Sequence, residues 1–213
     1  MKKYIILLTI TLFAGIGVKG QDTKAGAILD AMSARYKALK GFRAEFAYTP
    51  VSGAGKLGRK SLGDLTVKGD KYKLNIAGQE IYNNGSAIYS FVKEVNEVSI
   101  TDYESGGSEF SPAAIYSIHK QGYKYSYKGE KSIGGTKYDV VDLLPLKPDN
   151  SIKKLEIAVH KSTREVKQWK LWDSTGGHTV FDILQFTPNL ALADSFFTFN
   201  TAKYPGVEVV DLR

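Results

Sequence analysis

A chain of 213 residues with 29 basic and 22 acidic side chains, 12% aromatic residues and no cysteine is long enough for one domain with a substantial core. Its formal charge of +7 comes from lysines spread one or two per candidate strand, with no basic stripe, which argues against nucleic acid as a partner. The lack of cysteine excludes disulfides and acylation at a lipobox.

Residues 1–20 read as a cleavable leader. Lys2 and Lys3 precede an uncharged apolar run from Tyr4 to Val18, and Val18 and Gly20 stand at the minus-three and minus-one positions of a small-residue cleavage site. The run falls short of the ~20 residues that a spanning helix needs, so export is expected, with Gln21 as the mature N-terminus and the periplasm of a double-membrane bacterium as the address. Loss of the leader's three lysines brings the charge from +7 to +4. Residues 21–213 show no repeat or linker and read as a single domain.

Apolar residues at Ala25, Ile28, Leu29, Met32, Tyr36 and Leu39 predict one amphipathic helix over Thr23 to Lys40, with Asp22 or Thr23 as N-cap and Gly41 as C-cap. The period then switches to two: Phe42, Ala44, Phe46 and Tyr48 share one face, with Arg43 and Glu45 on the other. Leu65/Val67, Tyr72/Leu74/Ile76 and strands on both sides of the Asn83-Asn84-Gly85-Ser86 turn continue an antiparallel meander. Ser111-Pro112 caps a short apolar helix from Ala113 to Lys120, ended by Gly122. Strands then recur at Tyr123/Tyr125/Tyr127, Tyr138 to Leu144, Leu155/Ile157/Val159, Val166 to Trp172 and Val180 to Phe186, and Phe196 to Phe199 reads as one more.

The count is about ten or eleven strands against a few helices: a mainly β fold, one large and strongly curved antiparallel sheet with helices on one side. A membrane-spanning barrel is disfavoured because a lipid-facing lysine near the bilayer centre costs ~2–4 kcal/mol, and Lys73, Lys124, Lys128, Lys154, Lys167 and Lys170 occupy most strands. In the later strands apolar bulk lies on both faces: Trp169 and Leu171 against Trp172, and Val180, Leu184 and Phe186 against Phe181 and Ile183. A sheet curled around a cavity and an ordinary sandwich core both account for that.

No catalytic constellation assembles. Gly53-Ala-Gly55-Lys-Leu-Gly58 has the letters of a dinucleotide fingerprint but joins two strands instead of opening a helix, so it reads as a hairpin loop. Ser151-Ile-Lys-Lys154 enters a strand and lacks the partner motifs of a serine-lysine enzyme. His119, His160 and His178 are far apart without metal-ligand spacing. Asp139 with Asp142, and Glu94 with Glu97, stand three apart in strands, hence on opposite faces, and read as solvated carboxylates. No enzyme activity, metal or cofactor is expected.

The ordered elements resemble one family. Ala27-Ile-Leu-Asp-Ala-Met with Tyr36-Lys-Ala-Leu-Lys-Gly-Phe-Arg-Ala-Glu-Phe46, Gly63-Asp-Leu-Thr-Val-Lys68 before Lys71-Tyr-Lys-Leu74, and Asn84-Gly85 before Ile88-Tyr-Ser-Phe91 follow each other in its order. Asn96-Glu-Val98, Ser111-Pro112 and Pro205-Gly-Val-Glu-Val-Val-Asp211 complete the set. Together these resemble the periplasmic outer-membrane lipoprotein carriers, the LolA-like proteins. The resemblance implies an incomplete, unclosed antiparallel half-barrel with helices covering its concave face and a cavity for acyl chains. Its implied partners are acylated lipoproteins and an inner-membrane ABC-type release complex, with a monomeric carrier and no cofactor. A sensor or regulatory module and a general envelope lipid shuttle of the same fold are the alternative readings.

On this basis Phe42, Phe46, Leu65, Tyr72, Leu74, Tyr89 and Phe91 are expected to wall the acyl cavity, and Ile28, Met32, Leu39, Ile115 and Ile118 to form a movable apolar lid. Which strand parity points inward is left open. Where the family has an Arg-Pro step linked to lid closure, this chain has Lys68-Gly69, which keeps the charge but not the planar fork of donors. Lys68 is the candidate latch.

Overall fold

A computed structural model describes residues 22–103, 115–120, 122–147 and 152–213. The expected leader and the Ser111-Pro112 cap lie outside the described residues.

Helix α1 (Thr23–Lys37) begins at Asp22, whose carboxylate accepts from the amides of Lys24 and Ala25 at 3.0 and 3.1 Å. Those bonds satisfy two of the donors that every helix start leaves open. The helix ends earlier than its periodicity suggests, with Ala38 and not Gly41 as C-cap. Gly41 serves a backbone crossing instead: a Cβ there would meet the carbonyls of Leu190 and Val67 at 3.0 Å, closer than side chains ordinarily pack, so glycine eases the approach.

Two antiparallel meanders follow. The first comprises β1 (Phe42–Val51), β2 (Ser61–Lys68), β3 (Lys71–Ile76), β4 (Gln79–Asn83), β5 (Ala87–Val92) and β6 (Glu97–Asp102). The second comprises β7 (Tyr123–Ile133), β8 (Thr136–Pro145), β9 (Lys154–His160), β10 (Val166–Trp172) and β11 (His178–Pro188). They meet along β1 and β11, and a final strand, β12 (Glu208–Asp211), lies beside β6. The result is one twelve-stranded open sheet in the order β12-β6-β5-β4-β3-β2-β1-β11-β10-β9-β8-β7. It holds more strands than the sequence pattern suggests, and β12 runs parallel to β6, so the sheet is not wholly antiparallel. Its unjoined ends are those of a half-barrel.

Turn chemistry fixes the first meander as read. Asn83 Oδ1 accepts from the Gly85 amide at 2.7 Å, Asn84 Oδ1 accepts from Ser86 and Ala87 amides at 2.9 Å, and Gly85 takes φ +94°.

Cross-strand partners share a face, so the registers assign sides. Phe42, Phe46, Leu65, Val67, Tyr72 and Leu74 from the first meander join Val141, Leu143, Leu155, Ile157 and Val159 from the second in one buried cluster. Ala25, Ile28, Leu29, Met32 and Tyr36 of α1 belong to the same cluster, as do Ile115 and Ile118. This is the helix face of the sheet. Of the short helix expected over Ala113 to Lys120, the described part is a turn at 115–117 and a single 3-10 turn, Ile118–Lys120.

Two bulges change which side chains of the later strands reach the helix face. Against β1, Gln185 pairs with Glu45 and Ile183 with Phe46, so Leu184 is skipped and 54% exposed. The skip places Phe186 on the same face as Ile183 and Phe181, where strict alternation sets them apart. In β10, Val166 pairs with Val159 and Gln168 with Ala158, and Lys167 is the residue skipped.

The opposite face of β2–β5 is covered by the chain after β11. Residues Phe196 to Phe199 do not form the expected strand: Asp194–Phe197 is a 3-10 turn, and Phe197 is fully buried. Phe199 stacks on Tyr204 at 4.7 Å and packs against Phe91 at 5.2 Å and Tyr82 at 5.7 Å.

Candidate functional site

On the helix face lies a cavity of about 230 Å³ whose walls come from both meanders. Phe42, Ala44 and Phe46 of β1, Leu65 of β2 and Leu74 and Ile76 of β3 form one side. Val166 and Trp169 of β10 with Phe181, Ile183 and Phe186 of β11 form the other, and Tyr36 of α1 with Ile115 and Tyr116 closes over them. Every lining side chain is aliphatic or aromatic. Such walls hold hydrocarbon and repel water, which needs polar partners to enter.

The aromatic contacts give the roof its geometry. Tyr36 and Tyr116 are stacked at 5.0 Å with 6° between planes, and Phe42 meets Tyr36 edge-on at 5.3 Å and Tyr116 at 5.9 Å. The Tyr36 hydroxyl accepts from the Val166 amide at 3.1 Å, at the bulge in β10, and burial pushes its pKa up to about 12. Burial likewise pushes Tyr116 well above the usual phenol range. Both stay neutral, and the roof carries no charge into the cavity. Next to Tyr36, Arg35 donates to Glu165 at 2.9 Å, so the end of α1 is fixed to the start of β10 by two polar contacts.

Of the residues expected in the wall, Phe42, Phe46, Leu65 and Leu74 line the cavity. Tyr72 lies in the same buried cluster beside it. Tyr89 and Phe91 are placed elsewhere, and the register gives the reason: Leu74 pairs with Ile81 and Ile81 with Ser90, so it is Ser90 and its neighbours Ile88 and Val92 that share the helix face. Tyr89 and Phe91 face the other way and hold Phe199. Of the expected lid residues, Ile115 lines the cavity, while Ile28, Met32, Leu39 and Ile118 pack in the surrounding core. Sequence reasoning missed nine lining residues: Tyr36, Ala44, Ile76, Tyr116, Val166, Trp169, Phe181, Ile183 and Phe186. The Phe181/Ile183 alternation was visible, but the bulge that adds Phe186 has no sequence signature.

Lys68 does something other than its expected part suggests. Its ammonium donates to the Leu192 carbonyl at 2.7 Å and to Asp194 at 2.8 Å, where Lys71 also binds at 2.8 Å. Lys68 and then Lys71 hold the Asp194 carboxyl at about 2. These bonds tie β2 and β3 to the chain after β11, on the face away from the cavity.

A second and more open hollow of about 380 Å³ lies at the end of β2 and β3. Its lining is mixed, with Arg43, Glu45, Asp64, Asn75, Gln79 and Lys93 beside the exposed Leu62 and Leu184, and it includes Phe46 and Ile76.

The other sequence signals resolve as structure. Gly53–Gly58 is the β1–β2 connection, closed by a Val51–Leu57 bridge. Asp139 and Asp142 are on opposite faces but are buried, not solvated: Asp139 accepts from the Tyr127 hydroxyl and pairs with Arg164, and Asp142 pairs with Lys154 at 2.8 Å. His119 is buried with Nε2 3.1 Å from Asp30 of α1. Among the described residues no group of three potential ligands could hold a metal ion, and no helix is long and apolar enough to cross a membrane.

The family model of the outer membrane lipoprotein carrier protein LolA matches residues 37–200. The chain belongs to the LolA family. An uncharacterized conserved protein of Thermus thermophilus has the same fold, with a TM-score of 0.60 over 88% of this chain and 99% of its own at 9% identity. A LolA superfamily protein of Nitrosomonas europaea is 14% identical, over 82% of this chain and 97% of its own, with a TM-score of 0.41. The lipoprotein LppX of Mycobacterium tuberculosis is 12% identical, over 79% and 98%, with a TM-score of 0.47. None of the curated proteins is similar enough to this chain to count as a relative.

Proposed function

We propose that this LolA-family protein is a periplasmic carrier that holds the acyl chains of lipoproteins in its helix-face cavity and moves them from the inner to the outer membrane. The observation that carries the reading is the wholly apolar, aromatic-walled cavity bounded by α1 and the 115–118 segment. An acyl chain of ~16 carbons in water costs on the order of 12 kcal/mol at ~0.8 kcal/mol per methylene. A shuttle between membranes has to hide most of that surface.

The cavity as it stands is too small for such cargo. A void of ~150 Å³ holds one benzene ring, so about 230 Å³ takes roughly nine carbons at the same ~25 Å³ per carbon. Loading therefore requires the cover to shift, and Ile28, Met32, Leu39, Ile115 and Ile118 are the residues whose packing would be exchanged for hydrocarbon. The closure energy lost on loading weakens net affinity and keeps delivery possible. Lys68 in this scheme is a latch on the chain after β11 and not on the helices. An inner-membrane ABC-type complex is the donor proposed by family membership, and residues 1–20 are the proposed export leader.

Native mass spectrometry of the mature protein purified from its own host tests the reading. Co-purified acylated peptides are expected. Free phospholipid or a soluble protein partner in their place, or no apolar ligand at all, overturns it.

A further inference from the structure

The hollow between β2 and β3 and the helix-face cavity share two wall residues, Phe46 and Ile76. The β1–β2 ladder runs on to Tyr48 and Ser61, whereas the β2–β3 ladder begins only at Asp64 and Asn75. Residues Ser61–Gly63 therefore have a partner strand on one side alone, and the sheet has a notch beside them. At the notch stands Gly63, where a Cβ would come within 2.7 Å of the Phe46 ring and 2.6 Å of the Asn75 carbonyl oxygen. With no side chain at Gly63, the Phe46 ring and the Asn75 carbonyl both close tightly against β2 at this point.

We propose that this notch is a portal: a single acyl chain passes between Phe46 and Ile76 into the cavity, and the polar head to which it is attached stays in the notch. The inference rests on the acyl-carrier reading and adds where the head sits and what kind it is. The rim sets the head's chemistry. Arg43 lies 3.4 Å from Glu45 and 3.6 Å from Asp64, Asn75 donates to Asp64 at 2.8 Å, and Lys93 is bound to Glu80 at 2.8 Å. Both cations face carboxylates, so the rim offers no surplus charge to a phosphate or a free carboxylate. It offers hydrogen-bonding groups to an uncharged head, such as the amide of an N-acylated peptide.

The absence of cysteine allows a site-specific test. A fluorophore is placed on Gln79→Cys at the notch or on Ser132→Cys on the distant edge strand β7, both exposed positions. Each labelled full-length mature protein is titrated with N-acyl diglycine amides of 8 to 18 carbons bearing a quencher on the head, with displacement of an environment-sensitive dye as the independent measure of binding. The portal requires quenching of more than half the signal at position 79 and little at 132. It also requires affinity to rise by about tenfold per two carbons, at ~0.8 kcal/mol per methylene, and to level off near the length that fills the cavity. Phe46→Ala should move that plateau to longer chains, and Phe46→Leu should move it less. Dye displacement with no preferential quenching at position 79, or with a plateau unmoved in both Phe46 variants, overturns the portal and leaves the carrier reading standing. No dye displacement by any acyl amide overturns the carrier reading and the portal with it.

Discussion

Ala44 is the smallest side chain in the cavity wall, opposite Phe186 and Leu65, and Ala44→Leu separates stability from binding. At ~24 cal/mol per Å³ of void, an empty cavity of about 230 Å³ costs the fold as much as ~5 kcal/mol. Leucine adds three carbons, about 75 Å³ at ~25 Å³ per carbon, and filling a third of the void should return ~1–2 kcal/mol. The same three carbons displace about three methylenes of ligand, worth ~2.4 kcal/mol or roughly fiftyfold in affinity. Urea unfolding should therefore show a variant more stable than the parent, while dye displacement shows it binding acyl amides much more weakly. A variant that is less stable by more than ~1 kcal/mol, as overpacking of a filled site would produce, and that still binds like the parent would refute the claim that this space is open and used.

Burial raises the Glu80 carboxyl, but hydrogen bonds from Lys93, Tyr82 and Lys73 outweigh it and hold its pKa at about 2. With a folded value below the unfolded one, its stabilisation is complete above pH ~4.5 and is lost as pH falls towards 2, on the order of 3 kcal/mol in all; Glu80→Gln should flatten the acid side of the stability curve measured by urea unfolding. Phe199→Ala removes the ring shared by Tyr82, Phe91 and Tyr204 and should cost ~3–5 kcal/mol in the same assay, with acyl affinity retained because the site lies on the other face. Asp22 caps α1 and also accepts from the Tyr127 amide of edge strand β7 at 2.8 Å, so Asp22→Ala should speed hydrogen exchange at Lys24, Ala25 and Tyr127 together, and unchanged protection at Tyr127 would contradict the shared anchor.

The strand pattern made most of the sheet legible, because period-two alternation and the Asn83–Ser86 turn each report a local preference that the fold keeps. The inward parity of β1, β2 and β3 follows from the same alternation once one apolar row is set against α1. What alternation does not carry is a skipped residue. The bulges at Leu184 and Lys167 reverse the face of everything beyond them, and a bulge is decided by how two strands fit, not by either strand's own composition. Tyr89 and Phe91 misled for another reason: they are as apolar as a cavity wall, but the Phe199–Tyr204 segment claims them from the far side, and nothing near residue 90 announces a partner more than a hundred positions away. The parallel placement of β12 is hidden in the same way, since four residues against β6 satisfy either direction on pattern alone. The Lys68 contact belongs with these, as a long-range bond written in no local motif.

The position of the β1–β11 ladder at the middle of the sheet has a mechanical consequence. Each meander zips up from neighbours in the chain, but the seam between them joins residues 42–51 to residues 178–188, and such distant pairing is slow and entropically costly to form. The cavity straddles that seam, with β1–β3 on one bank and β10–β11 on the other. A bound hydrocarbon would act as a staple across the two halves, slowing their parting and leaving a footprint of amide protection centred on β1 and β11.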